Sequence, residues 1–155
     1  MRLLEQPRLW RAVLVAMLVP LAVVAFWPSP VDQPVQGQLA GFLLVIHHLG
    51  IPGWINYSFI EAAANVLLFV PVGVAASLAF PRKQLWQLGA FGLLISGCME
   101  LGQQLFLYER FASPLDLVTN TAGCVIGILA ARAGMRTFKD GQAQRQLALS
   151  LSKSR

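Results

Sequence analysis

Long runs of apolar residues, separated by shorter polar stretches, organise this chain of 155 residues. Four of the runs approach or exceed the roughly 20 residues that a helix needs to cross a bilayer. This pattern predicts an all-α membrane protein with four transmembrane helices. The predicted spans cover about 10–27, 58–80, 85–107 and 113–134.

The first apolar run has two interpretations, a cleaved signal peptide or a permanent helix. Arg2, Arg8 and Arg11 precede it, as basic residues precede the apolar part of a signal peptide. However, that apolar part usually has about 7 to 15 residues, and this run is longer. Trp27 and Pro28 lie at its end, where a cleavage site would need small residues. We therefore expect an uncleaved transmembrane helix.

The connection between the first two spans, residues 28–57, contains the shorter apolar stretch "LAGFLLVIHHLGIPGW". Its apolar core is too short to cross a bilayer, so we predict an interfacial or re-entrant helix. Trp54 and Tyr57 are expected at the boundary between lipid and water. His47 and His48 are adjacent and would point in different directions, so we interpret them as interfacial residues rather than metal ligands.

Composition supports a membrane protein and argues against several other classes. The chain is 56% hydrophobic and 12% charged, whereas a soluble domain has about 25% charged residues. The net charge of +5 comes from short basic runs beside apolar segments, without the interleaved aromatics that favour nucleic acid. Cys98 and Cys124 lie inside apolar segments without metal-ligand spacing. We therefore predict no nucleic-acid partner, no metal and no cofactor.

The positions of the basic residues predict how the chain is oriented. Cytoplasmic loops are enriched in Lys and Arg. All but one of the twelve Lys and Arg residues fall near the two termini or in the second loop, with Arg110 as the exception. We therefore predict that both termini are cytoplasmic. A single transmembrane domain over 1–134 would precede a basic cytoplasmic tail over 135–155, mobile or lying on the anionic inner leaflet.

Polar groups gather at one predicted depth, in the outer third of the membrane. At about 1.5 Å per helical residue, polar positions of spans two, three and four reach the same level. A carboxylate left in lipid at the bilayer centre costs about 2.5 to 3.5 kcal/mol, so we expect these groups to face a shared cavity open to the outside. They are Glu61, Asn65, Glu100, Gln103, Asp116 and Asn120.

Small residues continue the same helix faces towards the other side of the membrane. Gly92 in span three, and Gly123 and Gly127 in span four, lie at helical spacing from the polar positions. Small side chains let helix backbones approach closely, so we expect these faces to meet. Pro71 and Gly73 in span two are predicted to kink that helix and open the cavity.

Spans two and four also share a short pattern. "EAAAN" and "DLVTN" both place an acid four residues before an asparagine. Because both spans are predicted to run from outside to inside, the repetition indicates two helix hairpins related by an axis along the membrane normal. Coincidence is the alternative.

Several short motifs occur together in spans two to four: "NVLLFVPVG" at 65–73, "ELGQ" at 100–103, Arg110, and "SPLDLVTNTAGCVIG" at 113–127. Over about 55–134 the chain resembles the VanZ-like family of small multi-pass bacterial membrane proteins. The resemblance implies a place in the bacterial cytoplasmic membrane. The family takes its name from an accessory protein linked to resistance to the glycopeptide teicoplanin, a role that membership alone does not transfer. Positions that match the family pattern are Asn65, Pro71, Gly73, Glu100, Gln103, Arg110, Asp116, Asn120 and Gly123.

The first function that fits is a binding protein of the cell envelope, with a link to glycopeptide resistance implied by the resemblance. Its outer cavity would take a lipid headgroup, an envelope precursor or an amphiphilic antibiotic from the outer leaflet. The ligand-binding residues would be Glu61, Asn65, Glu100, Gln103, Arg110, Asp116 and Asn120.

Other interpretations remain open. A membrane enzyme acting on a lipid-linked substrate would use Glu100 and Asp116 as acid and base and Arg110 to hold an anionic group, but the sequence offers no nucleophile. A transporter subunit would have to oligomerise, and homo-oligomers are left open. In a purely structural interpretation, Arg110 pairs with the two carboxylates and joins the outer ends of spans three and four.

The predicted topology can be tested by labelling single cysteines from outside intact cells. Cysteines at Gln33 and Ala112 should react with a membrane-impermeant maleimide, because both positions are predicted to be external. Cysteines at Gln84 and Gln144 should react only after the cells are permeabilised. The opposite pattern would show that the positive residues have been misinterpreted.

Overall fold

The computed structural model describes residues 6–27, 33–107 and 113–153, and these residues form helices without a β-strand. A short 3₁₀ helix, Gln33–Val35, precedes α2. The all-α fold is confirmed, and α1, α3, α4 and α5 are each long and apolar enough to cross a membrane. The α-helices are α1 (Pro7–Ala25), α2 (Gln36–His48), α3 (Tyr57–Ala79), α4 (Leu85–Phe106) and α5 (Pro114–Lys153).

Local sequence signals explain where the helices begin. Pro7 and Pro114 occupy the first positions of α1 and α5, where the missing N–H of proline costs nothing. Asn56 caps α3, and its Oδ1 accepts a hydrogen bond from Phe59 N at 3.1 Å. The backbone N–H of Gln84, before α4, donates to Gln87 Oε1 at 3.0 Å. These contacts satisfy donors that the first turn of a helix leaves without intrahelical partners.

The connection between α1 and α3 contains α2, a helix of 13 residues. Two residues after its end lies Gly50, whose φ of +92° is a left-handed conformation that glycine adopts without strain. The chain then turns back, and the ring Nε2 of His47 lies 3.0 Å from the carbonyl oxygen of Ile55. This contact joins α2 to the segment that leads into α3. The interfacial or re-entrant placement of α2 stays a prediction.

The last helix continues beyond the predicted end of the fourth span near residue 134. α5 reaches Lys153 and contains 40 residues, and the position at which it leaves the membrane stays a prediction. At about 1.5 Å per residue it extends roughly 60 Å, about twice the thickness of the hydrocarbon core. Gly134 does not adopt the left-handed conformation that commonly ends a helix. Beyond it the sequence contains no proline and is rich in Ala, Leu, Gln, Arg and Lys, which favour helix.

The tightest packing in the bundle joins α3 and α5. A Cβ atom at Gly123 would overlap the backbone carbonyl of Val66, and one at Gly127 would overlap that of Val70. On α3, a Cβ atom at Gly73 would likewise overlap the backbone carbonyl of Cys124 in α5. Residue numbers rise together along both helices, so α3 and α5 run parallel. Their backbones approach as closely as they do because glycine occupies all three positions.

The remaining helices pack around this pair. α4 lies on α5, where a Cβ atom at Gly92 would be only 2.7 Å from Cys124 Sγ. α1 packs mainly against α3 and contributes Leu14 to the core. α3 continues through Pro71, which is exposed; the predicted kink there stays a prediction. The buried core lies towards the end of the bundle where α3 finishes, and includes Leu14, Phe69, Val72, Ala76, Leu88, Cys124 and Ile128.

The glycine contacts predict a clear effect of adding one methyl group. Gly123→Ala should lower the free energy of unfolding by about 1 to 3 kcal/mol, because the new Cβ forces α3 and α5 apart. Gly141→Ala is the matched control, since a Cβ there meets nothing within 4 Å. It should be neutral or stabilising by up to about 1 kcal/mol. Unfolding in mixed detergent micelles measures both, and equal stability of the two variants would contradict the close packing.

Candidate functional site

Polar side chains from three helices meet where α1 and α4 end and α3 and α5 begin. We call this group the acid–amide cluster. α3 supplies one member, α4 three and α5 two, and their contacts also reach the last turn of α1. The cluster consists of Asn65, Ser96, Glu100, Gln103, Asp116 and Asn120.

The contact between α3 and α5 at this end is a hydrogen bond. Asn65 Nδ2 donates to Asp116 Oδ1 at 2.9 Å, and both side chains are half-buried. Each residue belongs to one of the two similar pentapeptides, so the amide of "EAAAN" binds the acid of "DLVTN". The glycine contacts deeper in the pair bring the two parallel helices close enough for this bond.

The contact between α4 and α5 lies one turn deeper and is more completely buried. Asn120 Nδ2 donates to Ser96 Oγ at 3.0 Å. Asn120 is 8% exposed and Ser96 is fully buried. Buried polar groups need such partners, because an amide without one costs roughly 1 to 3 kcal/mol. Ser96 is therefore the acceptor that makes the buried amide tolerable.

Glu100 joins α4 to Ser113, the residue immediately before α5. Its Oε2 accepts a hydrogen bond from the backbone N–H of Ser113 at 2.9 Å. The carbonyl of Ser113 in turn accepts from Asp116 N at 2.9 Å, which starts the helix. Because Ser113 contacts both residues, Glu100 also helps to fix the position of Asp116.

Gln103 joins α4 to the end of α1. Its Nε2 donates to the carbonyl oxygen of Ala25 at 2.8 Å, one of the last carbonyls of α1. Next to it, the ring of Phe26 covers Gly102 so closely that a Cβ there would be 2.5 Å from the ring. This end of α1 is thus docked on the end of α4.

Two further residues, Glu61 and Arg110, were also predicted from the sequence to belong to the site. Glu61 lies one turn before Asn65, near the start of α3, and is exposed. Arg110 lies outside the described residues, so its predicted pairing with Glu100 and Asp116 and its predicted anion-holding role stay predictions. The described Lys and Arg residues all lie in the first turns of α1, between α3 and α4, or from Arg132 onwards in α5.

One polar member of the site was not predicted from the sequence. Ser96 is absent from the predicted site residues, although it lies on the same helix as Glu100 and Gln103. The helical spacing of Ser96, Glu100 and Gln103 was the signal that could have identified it. The backbone partners of Glu100 and Gln103 could not be read from side-chain identities, because any residue supplies an N–H and a carbonyl.

The arrangement offers hydrogen-bond acceptors and amide groups in a fixed geometry. Ionised carboxylates accept only, whereas amides both donate and accept. Among the described residues, no three His, Cys, Asp or Glu side chains lie close enough together to hold a metal ion. The carboxylate and amide oxygens of the cluster are acceptors, to which any bound molecule would have to present hydrogen-bond donors.

The fold and this cluster define a small multi-pass α-helical membrane protein with polar contacts between helices at one end. The chain belongs to the VanZ/LLP1 family, whose model matches residues 10–136. Comparison with curated proteins and with solved structures gave no significant match.

The bond between Asn65 and Asp116 predicts a measurable coupling. In a double-mutant cycle with Asn65→Ala and Asp116→Ala, the coupling free energy should be about 0.6 kcal/mol and at most about 1.7, the range for hydrogen bonds between membrane helices. Asn65→Ala combined with Thr137→Ala should be additive, because Thr137 is exposed on the distant part of α5. Additive effects in both cycles would show that the bond contributes nothing to stability.

Proposed function

We propose that this VanZ-like protein is a binding protein of the bacterial cytoplasmic membrane, with the acid–amide cluster at the outer face and both termini in the cytoplasm. Its ligand is the headgroup of a lipid, a lipid-linked envelope precursor or an amphiphilic antibiotic. A contribution to resistance against glycopeptides of the teicoplanin type is part of the proposal. The family membership and the distribution of basic residues support this assignment.

One observation carries the proposal. Two carboxylates and three amides gather at one end of an otherwise apolar bundle, and most of them are only half-buried. Hydrogen bonds between membrane helices contribute about 0.6 kcal/mol on average, so stability alone is a weak reason to place so many there. Intramembrane ionisable groups usually mark a functional site, and this group lies near a helix end that a ligand can reach.

The chemistry of the cluster suggests which groups a ligand would present. Carboxylates and amide oxygens accept hydrogen bonds, so the ligand should carry ammonium, peptide N–H or sugar hydroxyl groups. Lipid-linked precursors and glycopeptides are rich in such donors, and their lipid parts would remain in the membrane. If Arg110 binds an anionic group as predicted, a phosphate beside these donors would complete the match.

We prefer binding to acid–base catalysis because of how the carboxylates are used. Glu100 accepts a hydrogen bond from the backbone of Ser113, and Asp116 accepts one from Asn65. In these contacts both act as positioned acceptors. An enzyme would convert its ligand into a different molecule, whereas a binding protein would leave it unchanged. The two proposals therefore predict different lipids in the cell.

The decisive variant is Asp116→Asn, which keeps an acceptor oxygen for Asn65 but removes the charge. We expect normal expression and near-normal thermal stability, with loss of protection against teicoplanin-type glycopeptides and lipopeptides. The assay uses a host without its own copy at matched expression. Asp140→Asn makes the same change at an exposed position of α5 and should remain active. Full activity of Asp116→Asn would leave the cluster with a purely architectural role.

Mass spectrometry of lipids that co-purify in mild detergent separates binding from catalysis. An envelope lipid enriched with the wild-type protein, and lost with Asp116→Asn, is the result expected for binding. A chemically altered lipid, present only in cells that contain the wild-type protein, would instead favour the enzyme.

A further inference from the structure

A cavity lies at the other end of the bundle, where α1 begins and α3 ends. It has a volume of about 500 Å³ and is lined by residues from the first turns of α1 and from the link between α3 and α4. Among the described residues that line it, four are basic and none is acidic. We call it the basic cavity and define it by Arg8, Arg11, Phe80, Arg82 and Lys83.

The end of α3 holds part of this basic group in place. Arg11 Nε donates to the carbonyl oxygen of Ala79 at 3.4 Å, and its guanidinium lies 5.1 Å above the ring centre of Phe80. The guanidinium of Arg132 donates to the carbonyl oxygen of Lys83 at 2.6 Å. Cations are favoured here because the last carbonyls of a helix carry partial negative charge.

The end of α3 accounts for Arg11, and the link between α3 and α4 accounts for Arg132, but neither accounts for the others. Arg8, Arg82 and Lys83 line the same cavity and are exposed. Like charges brought together around one cavity repel one another, and a bound anion would offset that repulsion. The cavity therefore has the charge and the access that a phosphate group requires.

An apolar groove adjoins the basic cavity and indicates what carries the phosphate. The groove has a volume of about 350 Å³ and shares Phe80 and Lys83 with the basic cavity. The rest of its lining comes from the first turns of α4 and includes Trp86, Ala90 and Phe91. A basic cavity continuous with an apolar groove matches a phosphate attached to a hydrocarbon chain.

We propose that the basic cavity binds the phosphate of an anionic phospholipid and that the adjoining groove holds part of one of its acyl chains. The site is separate from the acid–amide cluster and does not depend on the function proposed for that cluster. The distribution of basic residues predicts that this lipid belongs to the inner leaflet, where anionic lipids attract basic residues near the surface.

The proposal can be tested with the full-length protein in detergent by native mass spectrometry during titration with phosphatidylglycerol or phosphatidylcholine. Wild-type protein should bind phosphatidylglycerol more tightly. Arg8→Gln combined with Arg82→Gln should weaken that binding about thirtyfold, because two charges that line the cavity are lost. Arg11 is kept, since it also contacts α3. Lys139→Gln combined with Arg145→Gln removes equal charge elsewhere on α5 and should change binding less than about twofold.

Two results would overturn the assignment of a specific site. One is equal binding of the two lipids, and the other is equal weakening by the two double variants. Displacement of phosphatidylglycerol by an equal concentration of inorganic phosphate would overturn the lipid assignment in favour of a soluble phosphate ligand.

The acyl-chain part has its own test. Ala90→Phe should fill the groove and weaken binding of long-chain phosphatidylglycerol, while binding of a short-chain form should stay unchanged. Ala143→Phe, on an exposed position of α5, is the matched control. Unaltered long-chain binding by Ala90→Phe would show that the groove does not hold the chain.

Discussion

The close approach of α3 and α5 is the constraint on which the rest of the structure depends. Glycines at 73, 123 and 127 place each backbone against a carbonyl of the other helix. No larger residue fits at these positions, so the spacing of the pair is fixed by the backbone itself. Asn65 and Asp116 reach each other because of that spacing, and α4 then packs on α5 through Gly92 and Cys124.

This packing gives the bundle two chemically different ends. At one end, carboxylates and amides hold the helices together and present acceptors in a fixed arrangement. At the other end, Arg11 donates to a carbonyl in the last turn of α3, and basic residues line a cavity beside an apolar groove. The close contact between α3 and α5 lies between the two ends, and we propose that each end binds its own ligand.

The sequence was sufficient for the fold class and for the four spans, because apolar runs of bilayer length leave few alternatives. It also placed the polar residues and the small residues on shared faces through their helical spacing. It did not reveal that α5 continues beyond residue 134. A glycine such as Gly134 often follows the end of a helix, and only its backbone conformation shows that the helix continues. Contacts such as Gln103 with Ala25 involve backbone atoms, and the basic cavity depends on how distant segments come together.

The most direct test of the central claim asks whether the glycine contacts position the acid–amide cluster. Cysteines replace Asn65 and Asp116 in a background where Cys98 and Cys124 are alanine, and a short thiol cross-linker is added to native membranes. We expect efficient cross-linking when residue 123 is glycine and strongly reduced cross-linking after Gly123→Ala. The same cross-linking in both proteins would contradict the account, because the cluster would then form without the close packing of α3 and α5.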